Sequence, residues 1–220
     1  MTTLDRVDEA FRGFVGDPGF PCLAAKGTVR RRRYRIGLYG TLGNGETVAE
    51  LARDLGSFAA RPLSTGTAFT SFIAVFPDRP PTDECEFEQR LWTQLQSLHE
   101  HDDVTIGWDP TVSADPDDAN FSFSFGGRAF FVVGLHPSSS RLARRFQWPA
   151  LVFNPQAQFA RLRAEGRFGK LRAAIREREV ALQGSLNPNL ADFGEKSEAR
   201  QYSGRRAEDD WRCPFHHRAP

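Results

Sequence analysis

Among 220 residues there is one methionine, three cysteines and three lysines. Three cysteines (Cys22, Cys85, Cys213) cannot build a disulfide framework, and no C-x-x-C spacing offers a structural zinc site. So sparse and odd a set is expected of a reduced, cytoplasmic protein. No apolar run approaches the roughly 18 residues of a membrane span. Met1 to Arg6 lacks a basic region followed by an apolar stretch, so no secretory signal is read. Neither sign of charge prevails: 29 basic and 28 acidic residues leave a net charge of +1. A dedicated nucleic-acid binder would carry a large basic surplus, and none is expected here. There is no P-loop, no dinucleotide fingerprint and no nucleophile elbow. Gly43-Asn44-Gly45 is only a turn. No flavin or nicotinamide domain is visible.

What is abundant is phenylalanine, with 19 residues, and arginine, which supplies every basic residue except Lys26, Lys170 and Lys196. The benzyl rings wall a core or a cavity within it. The guanidinium groups are permanently charged planar forks suited to carboxylates and phosphates. The length suits one domain, residues 1–220, with a real core. No internal repeat or linker interrupts it.

Leu4, Val7, Ala10, Phe11 and Phe14 recur at helical spacing, and Gly16-Asp17-Pro18-Gly19 stops that helix. The basic stretch Arg30 to Arg33 leads into a strand, Tyr34 to Tyr39. Val48, Leu51, Leu55 and Phe58 predict a helix over Thr47 to Ala60. Phe69 to Phe76 reads as a buried strand. Thr82-Asp83-Glu84 opens a helix running to about His99, with Phe87, Leu91, Leu95 and Leu98 inward. Trp108 to Asn120 is a polar loop. Phe121-Ser122-Phe123-Ser124-Phe125 alternates a benzyl face with a hydroxyl face. Gly126-Gly127 joins it to the apolar Arg128 to Leu135, a hairpin pattern. Ala150 to Phe153 completes the sheet, and helices follow near Gln156 to Glu165 and Phe168 to Leu182. Beyond Gln183 the pattern dissolves. The expected fold is a single α+β domain: a mainly antiparallel sheet of about five strands, flanked by helices, under an irregular C-terminal tail.

His136 ends an apolar strand and precedes Pro137. Neutral imidazole ligates metals and haem iron, but a histidine there can equally bond a turn. In Ser138-Ser139-Ser140-Arg141-Leu142-Ala143-Arg144-Arg145, the serines can cap a helical turn, and Arg141 and Arg145 at i, i+4 would share one face. They read as an anion clamp or as a solvated basic face. Arg30 to Arg33 read as a solvated edge strand rather than a nucleic-acid patch. Cys22 and Cys213 each neighbour a proline, and a thiolate can also ligate haem iron. His99 and His101 with Asp102 and Asp103 read as an exposed helix end or a metal cluster. His216 and His217 read as solvent residues.

Several segments, in order, carry a resemblance. They are Phe20-Pro21-Cys22…Ala25-Lys26, Gly134-Leu135-His136-Pro137…Ser140-Arg141…Ala143-Arg144-Arg145-Phe146, Phe153-Asn154-Pro155…Gln158-Phe159, Gln183-Gly184-Ser185…Asn187-Pro188, Gln201-Tyr202-Ser203-Gly204-Arg205 and Trp211-Arg212-Cys213-Pro214-Phe215. Together they resemble the YqcI/YcgG family over about residues 14–215. The resemblance implies a haem b-dependent N-oxygenase of natural-product biosynthesis. Such an enzyme hydroxylates a guanidino or amino nitrogen of arginine or an arginine-like amino acid with dioxygen. It takes electrons from an external donor, with peroxide as the alternative oxidant. His136 is then the expected iron ligand, with Cys22 and Cys213 as alternatives. Phe123 and Phe131 would line the haem, and Arg141, Arg144 and Arg145 would face its propionates. Glu195, Glu198, Asn187 and Gln183 are the expected substrate contacts, with Asn154 a further polar candidate and Arg205 facing the substrate carboxylate. The rival reading is a non-catalytic haem-binding or sensing protein. No nucleic acid or membrane is expected as partner, and a homodimer is left open.

Overall fold

A computed structural model describes residues 1–62, 69–102, 106–191 and 194–218. Helix α1 (Thr3–Gly16) starts at a capping box: the Asp5 N–H donates to Thr2 Oγ1 at 3.1 Å, and the Thr2 N–H donates to Asp5 at 2.7 Å. It buries Val7, Phe11 and Val15 and leaves Leu4 exposed. A second helix, α2 (Leu23–Arg30), was not expected. Arg30 to Arg33 therefore belong to a helix end and a turn, not to an edge strand. Arg32 takes a left-handed φ of 51° in that turn, and strand β1 begins only at Tyr34 (Tyr34–Leu38).

Helix α3 (Val48–Ala59) and helix α4 (Glu84–His101) fall where the apolar spacing placed them. Between them lies strand β2 (Ser71–Val75). Asp83 caps α4 by accepting from the Glu86 N–H at 2.8 Å. Phe87, Leu91, Leu95 and Leu98 are fully buried. Strands β3 (Phe123–Phe125) and β4 (Arg128–Leu135) form the Gly-Gly hairpin. Gly126 and Gly127 sit at φ of +57° and +68°, which a tight primed turn requires. Strand β5 (Ala150–Pro155), α5 (Gln156–Ala164), α6 (Phe168–Gln183) and the one-turn α7 (Ala199–Tyr202) follow.

The sheet runs β1-β2-β5-β4-β3. Only β1 and β2 pair in parallel; the other three pairings are antiparallel. Alternation along each strand separates two cores. Phe72, Phe130, Val132 and Phe153 face α3, α4 and the tail. Ile73, Val75, Leu135 and Ala150 face α1 and α2. Each fully buried Phe contributes roughly 1.5–3 kcal/mol, so the phenylalanine surplus is spent chiefly on the first core.

The hydroxyl face of β3 is not solvated. Ser122 and Ser124 are buried, because residues 106–120 and the tail cover them. Ser124 Oγ accepts from the Asp109 N–H at 3.0 Å, and Ser122 Oγ donates to Glu198 at 2.5 Å. The tail is mostly irregular, yet it is tied down by buried Tyr202 and Phe215, which pack around Trp92. Among the described residues no helix is long and apolar enough to cross a membrane.

Candidate functional site

The side of the sheet covered by α1 and α2 encloses a cavity of about 260 Å³. Its walls are apolar: Phe11, Phe20, Phe69, Phe131 and Phe159, with Ile73, Val133 and Val152 from the strands beneath. Its polar groups are few: Cys22, Arg141, Arg144, Glu179, Asn154 and Asn187, with Thr28, Ser71 and Tyr34. An apolar cavity with a handful of convergent polar groups has the make-up of a small-molecule site.

Cys22 reaches this wall because it is the N-cap of α2. Its Sγ accepts from the Ala25 N–H at 3.5 Å. Burial raises the thiol pKa, while the helix-end N–H groups of Ala25 and Ala24 oppose that rise. The sulfur is the one soft metal donor among the cavity-lining residues.

Opposite in charge but close together are Arg141 and Glu179. Arg141 Nη2 donates to Glu179 Oε1 at 2.5 Å and to the Ser185 carbonyl at 2.8 Å; Nη1 donates to Ser185 Oγ at 3.2 Å. Both side chains are nearly buried, which makes a strong charge-assisted contact. Glu179 is the only carboxylate among the lining residues. It comes from α6, where it falls in register with Leu171, Ile175 and Leu182.

Arg144 lies beside this pair and bonds carbonyls only: Gly134 (3.2 Å), Tyr202 (2.8 Å) and Gln201 (2.7 Å). Burial pulls its guanidinium down to about 10, which still leaves it cationic at neutral pH. Asn154 is held by Ser71, whose hydroxyl donates to Oδ1 at 2.7 Å.

The cavity thus gathers Cys22, Phe131, Arg141, Arg144, Asn154 and Asn187 from the sequence-predicted set. The others stand elsewhere. His136 points to the opposite face of the sheet, fully buried and stacked on Phe87 with ring centroids 4.1 Å apart. Neither of its ring nitrogens has a hydrogen-bond partner, and burial drops its pKa to about 4. Phe123 lies in the same core as Phe87. Arg145 is exposed, with Nε donating to the Ser139 carbonyl at 2.8 Å. Arg141 and Arg145 do not share a face, because residues 142–144 form a single 3₁₀ turn rather than an α-helix. Cys213 is buried in the α4 core, where its thiol is pushed up to about 12.

Gln183 clasps the 3₁₀ turn, accepting from the Leu142 N–H at 2.8 Å. Glu195 is exposed in the tail. Arg205 bonds Glu88 and Glu208 outside the cavity. Glu198 is buried and accepts from Ser122 (2.5 Å), Gln156 (2.6 Å) and Tyr202 (2.6 Å); burial raises it to about 7. It ties the tail to β3 and α5. His99 accepts from the Arg218 N–H at 2.9 Å and stacks on His217. Asp103 is outside the described residues, and among those described no group of three or more His, Cys, Asp or Glu could hold a metal.

Glu179 was missed from the sequence. Its signal was a carboxylate interrupting the apolar stripe of α6.

The donor set fits a haem at Cys22: a thiol beside a slot of benzyl rings, with cationic groups at one edge. It does not fit at His136, whose ring is closed in by Phe87. The cavity is slightly smaller than the ~300–1,000 Å³ of small-molecule pockets, so a macrocycle enters only if its walls part.

The sequence matches the YqcI/YcgG family over residues 11–216, and the chain belongs to that family. It is 30% identical to the uncharacterised protein YqcI of Bacillus subtilis (strain 168), over 89% of this chain and 80% of that one. It is 28% identical to the uncharacterised YcgG of the same organism, with the same coverage. A Streptomyces lavendulae protein, DcsA, provisionally named an N(omega)-hydroxy-L-arginine synthase, is 27% identical over 81% of this chain and 68% of its own length. No solved structure is significantly similar.

Proposed function

We propose that this protein is a haem-dependent N-oxygenase that hydroxylates a guanidino nitrogen of arginine or an arginine-like amino acid in natural-product biosynthesis. The observation that carries the reading is the pairing of one thiol, Cys22, and one carboxylate, Glu179, on the wall of a single apolar cavity. The relative named for N(omega)-hydroxy-L-arginine synthesis supports the substrate class.

In this reading Cys22 takes the iron-ligand role first given to His136, and its sulfur binds as thiolate. A haem held there by Cys22 would supply oxygen activation, the chemistry by which one atom of O₂ would reach the substrate nitrogen and the other would leave as water. Glu179 receives the substrate guanidinium. A carboxylate can accept a planar guanidinium fork in two parallel bonds, and Glu179 already accepts one guanidinium N–H, from Arg141 Nη2. Arg144 stays cationic and draws a carboxylate, of substrate or of propionate, to the same edge. Asn154 and Asn187 offer amide groups for orientation. The ring-lined walls exclude water from the reacting nitrogen.

The test is product formation. Haem-loaded protein with L-arginine, O₂ and a chemical reductant should give a product 16 mass units heavier by mass spectrometry. Glu179→Gln should raise KM for arginine by about tenfold or more, the value of one lost charge-assisted pair. Haem uptake without any hydroxylated guanidine would refute the enzyme reading.

A further inference from the structure

The two most basic stretches of the chain meet beside the cavity. Residues 23–35 and 156–172 together hold eleven of the 29 cations and one of the 28 anions. The remaining 18 cations are outnumbered by 27 anions, so the net charge of +1 hides an uneven distribution along the chain. The α2 terminus and the α5–α6 junction bring both stretches around an open groove of about 660 Å³. Arg31, Arg33, Arg167 and Lys170 line it, all exposed. The one anion among the lining residues, Glu165, bonds Arg167 at 3.1 Å. Arg30 and Arg32, also exposed, flank the groove in sequence.

Part of this charge has local partners: Lys26 donates to the Asp17 and Pro18 carbonyls, Arg35 to Ser57 Oγ, and Arg163 lies over the Phe168 ring. Cations in the last turn of a helix complement its dipole, which accounts for Arg30 in α2 and for Arg161 and Arg163 in α5 but not for the groove-lining Arg31, Arg167 and Lys170. Like charges gathered from two separate elements raise the positive potential of the groove, which steers an anionic partner toward it.

The groove also abuts the cavity. Ala24, Thr28 and Phe69 line both, forming a common wall. Helix α2, which forms that wall, begins at Cys22. A partner seated in the groove is therefore separated from the thiol's cavity by a single layer of side chains.

We propose that this groove docks a compact acidic redox protein, a one-electron carrier that delivers the electrons of the reaction above. The inference rests on that reading. The reaction needs them: R–NH with O₂, two electrons and two protons gives R–NOH and water, and two successive dockings supply the electrons. A compact acidic partner meets only the basic groove. A long polyanion such as duplex DNA would run off the patch onto a surface where anions outnumber cations. Electron-transfer complexes are small and electrostatically steered, which suits a groove of this size.

The experiment titrates the full-length haem-loaded protein with an acidic [2Fe–2S] ferredoxin of plant type. Binding is read by calorimetry and iron reduction by stopped flow. The docking surface predicts that affinity falls at least about tenfold between 50 and 300 mM salt. It predicts a similar loss for combined Arg31→Glu, Arg167→Glu and Lys170→Glu, while reduction by dithionite is unchanged. Should the reversed variant fail to fold, the corresponding triple Gln variant serves, with a smaller loss. Wild-type affinity in a folded variant overturns the proposal. So does a 20-base-pair DNA duplex that displaces the ferredoxin and binds more tightly. Haem uptake without charge-dependent ferredoxin binding removes the docking site alone, whereas failure to take up haem removes the underlying reading and electron delivery with it.

Discussion

The Arg141 guanidinium and the Glu179 carboxylate lie 2.5 Å apart on the wall of the cavity that holds Cys22. The pair joins the 3₁₀ turn after β4 to helix α6, and through Ser185 it fixes the loop that follows. One contact therefore shapes the polar corner of the site and anchors its outer wall.

Breaking that contact should be felt in stability as well as in binding. Glu179→Ala leaves Arg141 with only hydroxyl and carbonyl acceptors. The expected cost is about 1–3 kcal/mol, the range for a nearly buried group losing a charged partner. Denaturant unfolding of the apo protein measures it. A variant as stable as wild type would show that the pair is not formed in solution.

Gly134 allows Phe87 and the tail to close on β4. A Cβ there would stand 2.6 Å from the Phe87 ring and 2.8 Å from the Tyr202 carbonyl oxygen. Gly134→Ala should destabilise by roughly 1–3 kcal/mol, as overpacking does, and lower the melting temperature. An unchanged melting temperature would mean that α4 and the tail are not seated as described.

Two buried groups give stability opposite pH slopes. His136 is held neutral, with its pKa depressed from 6.5 to about 4. The unfolded chain binds that proton first, so stability is complete above pH 6.5 and falls toward pH 4, by roughly 3 kcal/mol. Glu198 is raised from 4.5 to about 7. Its folded form favours the proton, so its contribution is complete below pH 4.5 and is lost as pH rises through 7, by a similar amount. His136→Leu should flatten the acid limb and Glu198→Gln the limb approaching neutrality, in urea titrations across pH 4–8. Parallel curves for variants and wild type would contradict both assignments.

Much of the fold was legible because it is local. Apolar spacing located α3 and α4, and the Gly-Gly hairpin announced β3 and β4. Helix α2 was hidden by its short length, an unusual cysteine cap and the arginines that end it. The site was harder to read for a different reason. Alternation along β4 puts Phe130, Val132 and His136 on one face and Phe131, Val133 and Leu135 on the other. It does not say which face is closed by helices and which holds a cavity. That depends on α1, α2 and α6 crossing strands distant in sequence. Hence His136, conspicuous at a strand end, belongs to a packed core, while Cys22, a lone thiol before a helix, reaches the cavity.

The central claim is that Cys22 is the cavity's iron ligand. The direct measurement is the absorption spectrum of wild type, Cys22→Ser and His136→Leu after haem loading, then with reduction and carbon monoxide. Wild type and His136→Leu should share a Soret band shifted to the red by carbon monoxide, as thiolate ligation gives, and Cys22→Ser should lose it. A thiolate spectrum that survives in Cys22→Ser, or a wild-type imidazole spectrum lost only in His136→Leu, would contradict the account.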